Sequence, residues 1–307
     1  MSNLSPEKIE EIKKILISKG ANNVHYKIEH YLKFIFDFTI NNEILKLCLS
    51  TPYDEHWTFI PSIRILNKNI PALDHIGNDG LVCTTDHQGE NFDLKNHHQL
   101  INFVFDRAIE IIDRSLTTYK LGQRSELYNE LEGYLSTIDN SEHSIQLHVD
   151  PENHENIYGW IQQHPTKNFL FILKHLTSSD TNNFSHLIGS NLTKVKVDKI
   201  LLSDADFFPI PNIGEDFDEA YFQNLINNLS DEEKIKLTQK GQHIVLVGVP
   251  NKHGYAYIVF TYFVWSFYKS GLHLINFRLS LVQRAWREYL LNRSGQQEIN
   301  QHIGIIG

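Results

Sequence analysis

The sequence predicts an α+β fold at residues 1–138, with a four-stranded antiparallel sheet and flanking helices, followed by a second, mixed α/β domain. Three observations support this prediction. A capped helix pattern comes first, four short strand-like runs follow it, and a long helix pattern comes after an irregular stretch. Helices that precede and follow a run of strands are typical of a sheet that carries its helices at one face or end.

The first elements follow from their end signals and their periodicity. Ser5-Pro6-Glu7 predicts a helix start, because it joins a capping hydroxyl, a proline in the first turn and an acidic side chain. Apolar residues at helical spacing continue as far as Gly20, which ends the helix. Strand-type composition then marks four runs, at residues 24–29, 32–39, 44–50 and 59–66.

The later elements are predicted in the same way. Residues 67–95 lack periodicity and are rich in glycine, aspartate and asparagine, which is typical of a functional loop. Helices are then predicted at residues 97–116, 125–135, 157–163, 219–229 and 279–293, and strands at residues 168–173, 195–203, 243–249 and 255–264.

A polar stretch around Asp139-Asn140-Ser141-Glu142 separates the two patterns and predicts a domain boundary. We therefore expect a first domain at residues 1–138 and a second at residues 150–293. A third is expected to begin at residues 294–307, where an apolar strand pattern runs into glycine, as at the start of a nucleotide-binding β-α unit.

Composition excludes several classes of function. The net charge is −9 and the basic residues are scattered, so nucleic acid is not expected as a partner, because phosphate contacts need clustered positive charge. The sequence has no apolar run of the length that a membrane span needs and no signal segment, so we expect a cytoplasmic protein without a membrane partner.

The two cysteines, Cys48 and Cys83, indicate a reducing compartment without a disulfide framework. The 17 histidines are dispersed, and neither C-x-x-C nor H-E-x-x-H occurs, so neither a metal nor a small cofactor is expected. Cys83 comes at the end of a short apolar stretch that follows a turn at Gly80, and this position favours an exposed thiolate nucleophile. A buried, small apolar residue is the alternative for Cys83, and it is our interpretation of Cys48, which falls inside a predicted strand.

The segment from Pro71 to Cys83 resembles the active-site loop of ubiquitin-conjugating enzymes. That family places an isoleucine seven residues and a glycine three residues before its catalytic cysteine, and Ile76 and Gly80 stand at those distances. The upstream runs at residues 45–54 and 59–66 resemble the family's third strand, its proline-tyrosine turn and its Pro-x-Val strand. The resemblance implies the fold of that family and a thioester between Cys83 and the C-terminus of a ubiquitin-like or other partner protein.

In the same register His75 replaces the family's asparagine, as in its bacterial branch, whereas Leu73-Asp74 replaces the family's His-Pro. The resemblance implies that His75 stabilises the oxyanion, and an imidazole is also able to act as a base near neutral pH. A solvated loop histidine is the alternative. Asp86 or Asp79 is expected to orient the incoming amine. A plain turn residue is the alternative for both, and it is the favoured interpretation of Asp79.

Two further segments resemble bacterial relatives. Residues 126–134 resemble a Glu-x-x-x-Tyr helix, and residues 284–307 resemble the segment that joins such domains to a ubiquitin-activating, ThiF-like adenylation domain. This implies a fused conjugating–activating protein, with the activating domain supplied in cis or in trans. Proteins of that layout occur in bacterial antiphage operons, including cyclic-oligonucleotide (CBASS) systems, where a CD-NTase-type nucleotidyltransferase is a further possible partner. The rival hypotheses are an inactive partner-binding module of the same fold and an unrelated cysteine hydrolase.

Overall fold

The computed structural model describes residues 4–54, 56–84, 92–139, 143–153, 155–162, 168–173, 192–268 and 271–284. The chain divides into two compact units. The first unit contains residues 1–138 together with Ile210–Asp216, and the second contains residues 139–209 and 217–307.

The first unit is an α+β structure with the four-stranded antiparallel sheet that the sequence predicts. Its strand order is β1-β2-β3-β4, so each strand pairs with the next one in the chain. The elements are α1 (Pro6–Ser18), β1 (Asn22–Ile28), β2 (Leu32–Ile40), β3 (Glu43–Thr51), β4 (Ser62–Ile65), α2 (His97–Lys120), α3 (Ser125–Asn129) and α4 (Leu131–Leu135).

Local signals account for the helices of this unit. Ser5 caps α1, because its hydroxyl accepts a hydrogen bond from the Lys8 N–H, and Asn96 caps α2 through the Gln99 N–H. One face of α2 is buried along its length, and Phe105 on that face stacks on Phe36 of β2 with ring centres 5.9 Å apart. The core of the first unit therefore lies between α2 and the sheet.

The second unit is built on one eight-stranded sheet, with the order β8-β6-β7-β5-β12-β11-β10-β9. Its elements are β5 (His143–Leu147), β6 (Tyr158–Gln162), β7 (Asn168–Leu173), β8 (Leu192–Lys196), β9 (Asp198–Leu201), α5 (Glu219–Asn227), α6 (Asp231–Thr238), β10 (Gly241–Asn251), β11 (Gly254–Tyr268) and β12 (Gly271–Arg284).

The sheet of the second unit curls until its two edges approach each other. The edge strands β8 and β9 are separated in the chain by one residue, Val197. Consecutive Cα atoms are only about 3.8 Å apart, so these edges have to lie close together. Val197 is buried in an apolar cluster with residues from β5, β7, β10 and β11, which fills the inside of the curl. The single strand expected at residues 195–203 is thus two strands at opposite edges.

Two helix predictions are wrong. Residues 158–162 form β6 instead of a helix, and Gly159 in it faces side chains of Val195 and Leu170 so closely that a Cβ would collide with them. Residues 279–284 form the end of β12, which pairs with both β11 and β5. In both cases pairing on two sides decided the structure, because strand preference depends on the neighbours in the sheet.

The remaining residues of that second helix prediction, 285–293, and the expected start of a third domain at residues 294–307 lie outside the described residues. No helix within the described ranges has the length and apolar character that crossing a membrane requires.

Candidate active site around Cys83

The segment that leads to Cys83 is attached to the edge of the sheet beside β4. The N–H of Val82 donates to the Ile63 carbonyl at 2.9 Å, and the N–H of Ile65 donates to the Gly80 carbonyl at 2.9 Å. Leu81 and Arg64 form an isolated antiparallel bridge at the same place. Cys83 therefore follows a short extended segment that is bonded to β4. The sequence predicted this order of glycine turn, short apolar segment and cysteine.

A tight turn at residues 77–80 precedes this step and depends on glycine. Gly80 has a φ of +78°, and the Gly80 N–H donates to the Gly77 carbonyl at 2.8 Å. Asp79 is a turn residue, since its carboxylate accepts from the Leu81 N–H at 3.1 Å and pairs with Arg64. A Cβ at residue 80 would overlap the Ile65 carbonyl oxygen and stand 3.2 Å from its carbon.

Replacing Gly80 with alanine is expected to lower the free energy of unfolding by about 3 kcal/mol, because backbone strain and a backbone collision act together. Gly122→Ala is the matched control, since Gly122 has a φ of +72° and no atom within 4 Å of a new Cβ. That control should cost only about 1 kcal/mol. Urea unfolding of both variants measures the difference, and equal losses would contradict the described contact with Ile65.

The two cysteines have opposite surroundings. Cys83 is exposed, and its N–H donates to the His75 carbonyl at 2.9 Å. Cys48 lies in β3 and is 4% exposed, which confirms that it belongs to the core. Burial raises the pKa of the Cys48 thiol above its ordinary value, and the Ser50 hydroxyl 3.7 Å away opposes this only in part. Accessible thiol chemistry in the described residues therefore belongs to Cys83.

His75 is held by one carboxylate at two points. The His75 N–H donates to Glu130 Oε2 at 2.8 Å, and His75 Nδ1 lies 2.8 Å from Glu130 Oε1. The backbone of His75 is left-handed, with φ +58°, a conformation that histidine adopts more readily than most non-glycine residues but still rarely. The double contact with Glu130 stabilises this conformation and orients the ring.

The contact with Glu130 also changes the protonation of His75. The hydrogen bond raises the pKa of the imidazole above its ordinary value, while partial burial and the charge of Arg114 oppose the shift. The raised pKa means that this contact stabilises the fold fully below the ordinary pKa of histidine. That stabilisation is lost as the pH rises through the raised pKa of the folded state.

Two contacts position His75, one to the residue itself and one to its neighbour Asp74. Glu130 lies at the break between α3 and α4, where the sequence had predicted one continuous helix. In addition, α2 anchors Asp74, whose carbonyl accepts from the Ser115 hydroxyl at 2.9 Å and whose carboxylate accepts from the Thr118 hydroxyl at 3.3 Å. The position of His75 is therefore determined by helices that lie distant in the sequence.

The structure thus brings together two of the three predicted site residues. His75 and Cys83 are joined by a backbone hydrogen bond, whereas Asp86 lies outside the described residues. Glu130 is the residue to which sequence reasoning assigned no role. Glu130 and Tyr134 lie in the segment that resembles a Glu-x-x-x-Tyr helix, but nothing in the sequence connects the Glu130 carboxylate with His75.

The site contains an exposed thiol and an imidazole held by a carboxylate, on two residues whose backbones are hydrogen-bonded to each other. Cys83 offers an exposed thiol, and Glu130 orients the imidazole of His75. Nδ1 of His75 is engaged by Glu130, so Nε2 is the ring nitrogen left to exchange a proton or to donate to an oxyanion. A nucleophile, a base and a group that orients the base are the recurring elements of covalent catalysis.

Comparison with known proteins identifies no relative: no family model, no curated protein and no solved structure matches this chain.

Proposed function

We propose that the chain is a cysteine acyltransferase of the ubiquitin-conjugating type, which carries the C-terminus of a ubiquitin-like or other partner protein as a thioester on Cys83. One observation carries the proposal. Cys83 has an exposed thiol, and its backbone N–H is hydrogen-bonded to the carbonyl of His75. The ring and the backbone N–H of His75 are both held by Glu130. The four-stranded antiparallel sheet with flanking helices and the register of Ile76 and Gly80 before Cys83 support the same family.

The reaction has two balanced steps. The Cys83 thiolate attacks the thioester carbonyl carbon of a donor, a new C–S bond forms, and the donor cysteine leaves as a thiolate. An amine then attacks the carbonyl carbon of the Cys83 thioester, an amide bond forms, and the Cys83 thiolate leaves. The proton that the amine loses passes to the neutral imidazole of His75 or to water, and a charged imidazole stabilises the oxyanion through Nε2–H.

The donor in this proposal is a ubiquitin-activating, ThiF-like domain, acting in cis or in trans, and ATP is consumed there. The setting we propose is bacterial antiphage defence, in which a CD-NTase-type nucleotidyltransferase is one target of conjugation. The exposed position of Cys83 supports the proposal, because a protein-sized acyl group needs an accessible thiol.

A cysteine hydrolase is the second candidate, and the contact between His75 and Glu130 favours it. A carboxylate that orients the base beside a cysteine is also the arrangement of thiol hydrolases. Both candidates form an acyl thioester on Cys83, and they differ in whether an amine or water receives the acyl group.

The decisive experiment loads the full chain with a ubiquitin-like protein, using a ThiF-like activating protein and ATP, and then follows the adduct. We expect an adduct that thiol reagents cleave and that added lysine discharges to an amide faster than water hydrolyses it. Preferential loss to water, unaffected by amine concentration, would favour the hydrolase. A chain that binds the partner without forming an adduct would indicate an inactive module.

A further inference from the structure

A short segment from the later part of the chain packs into the first unit. Ile210–Asp216 belongs to the first unit, although the residues on both sides of it in the sequence belong to the second. We call residues 210–216 the strap. Ile213 in the strap is only 2% exposed, so the segment is embedded and does not merely lie on the surface.

The strap is hydrogen-bonded to the segment that carries Cys83. The N–H of Ile213 donates to the Ile70 carbonyl at 2.8 Å, and the N–H of Gly214 donates to the Asn78 carbonyl at 2.7 Å. In addition, the hydroxyl of Tyr134 donates to the Pro211 carbonyl at 2.7 Å. The strap thus contacts the segment both at its beginning and just before the turn that leads to Cys83.

Asn78 is the centre of this contact. Its side chain is buried, at 4% exposed, and its amide nitrogen donates to the carbonyls of Asn212 and Glu215, each at 3.0 Å, with the Tyr134 hydroxyl 3.4 Å away. A side-chain amide has two N–H groups, so the strap carbonyls account for its donor capacity. Removing either side of the contact would leave buried polar groups without partners, which is costly.

We propose that the strap is a structural component of the Cys83 loop, and that Asn78 is the positioning residue through which it holds the loop. The loop between Ile70 and Cys83 contains no helix or strand, so contacts with other segments add to its own backbone hydrogen bonds in ordering it. Asn78 precedes the Asp79-Gly80 turn directly, and that turn sets the path to Cys83. The consequence for acyl transfer rests on the proposed function, whereas the ordering of the loop does not.

The first test is amide hydrogen exchange in the full-length chain. Asn78→Ala should speed exchange at the N–H groups of Val82 and Cys83 at least about tenfold. The variant loses the two buried hydrogen bonds from the Asn78 side chain to the strap, so the loop opens locally at a lower free-energy cost. Gly214→Ala is a milder variant that alters the strap alone, since Gly214 has a φ of +79° and open space around it. It should speed exchange at the same two N–H groups several-fold.

Gly122→Ala is the control, because it introduces the same left-handed strain at a turn outside the strap. It should leave exchange at Val82 and Cys83 unchanged. If Gly214→Ala loosens the strap amides while exchange at Val82 and Cys83 stays at the native rate, the strap does not hold the loop and the proposal is overturned.

A second readout separates positioning from a general loss of stability. At a temperature where every variant is folded, Asn78→Ala should discharge a Cys83 thioester to lysine about tenfold more slowly, while Gly122→Ala discharges it at the native rate. A native rate in Asn78→Ala would overturn the positioning role. If the native chain forms no thioester at all, the proposed function fails, and the exchange result alone still decides whether the strap orders the loop.

Discussion

Replacing Cys83 with alanine is expected to abolish the thiol-sensitive adduct completely, because the carrier sulfur is then absent. Cys48→Ala should form the adduct at the native rate, since Cys48 is 4% exposed and burial raises the pKa of its thiol. Gel analysis with and without a reducing thiol, in the presence of activating protein, ATP and the ubiquitin-like partner, measures both results.

Cys83→Ser sharpens this test, because a serine in the same exposed position should yield an oxygen ester that reducing thiols do not cleave. Circular dichroism should show that all three variants are folded, so that loss of the adduct is a loss of chemistry. An adduct that survives in Cys83→Ala and disappears in Cys48→Ala would contradict the assignment of the carrier.

Replacing His75 with alanine is expected to slow amine transfer about a hundredfold while partner affinity stays nearly native, because the group acts on charge that develops in the transition state. His75→Asn should recover part of the rate, since an amide N–H also donates to an oxyanion. Single-turnover discharge of the preformed Cys83 thioester measures the rate, and titration with the partner measures affinity.

The left-handed backbone of His75 requires a further control, because asparagine tolerates this conformation better than alanine does. His75→Gly removes the imidazole and the backbone strain together. If His75→Gly is as slow as His75→Ala, the lost imidazole accounts for the effect. A native transfer rate in His75→Gly would show that His75 is only a loop residue.

The dependence on pH distinguishes the two possible roles of the imidazole. Glu130 raises the pKa of His75, so the charged ring persists to a higher pH than in an ordinary histidine. If the charged ring donates to the oxyanion, transfer should slow as the pH rises through that pKa, whereas a neutral ring acting as base gives the opposite trend. Glu130→Gln should move the midpoint of either profile to lower pH.

Short-range patterns account for what could be predicted. Ser5 and Pro6 specify the start of α1, because the cap and the first turn involve neighbouring residues. The strand-type runs at residues 32–39 and 44–50, with the left-handed Asn41 and Asn42 between them, specify the hairpin of β2 and β3. The Gly80 turn before Cys83 is likewise local, whereas the residues alone left both an exposed and a buried Cys83 open until the structure placed it at the surface.

The pairing of β6 and of the end of β12 could not be read from the chain in the same way. Residues 158–162 and 279–284 contain apolar residues whose spacing also suits a helix, and their strands are stabilised by partners on both sides. Strand pairing of this kind depends on contacts between segments that are distant in the sequence, and the residues of one segment do not indicate which segments it pairs with.

The sequence by itself determined the helix caps, the antiparallel meander and the glycine turn before Cys83, because each of these depends on residues a few positions apart. Only the tertiary structure decided what surrounds that cysteine. Glu130 reaches His75 across 55 residues, and Asn212 reaches Asn78 across 134 residues. Contacts at such separations arise when the chain folds back on itself, and they are set by packing and by the need to pair buried polar groups.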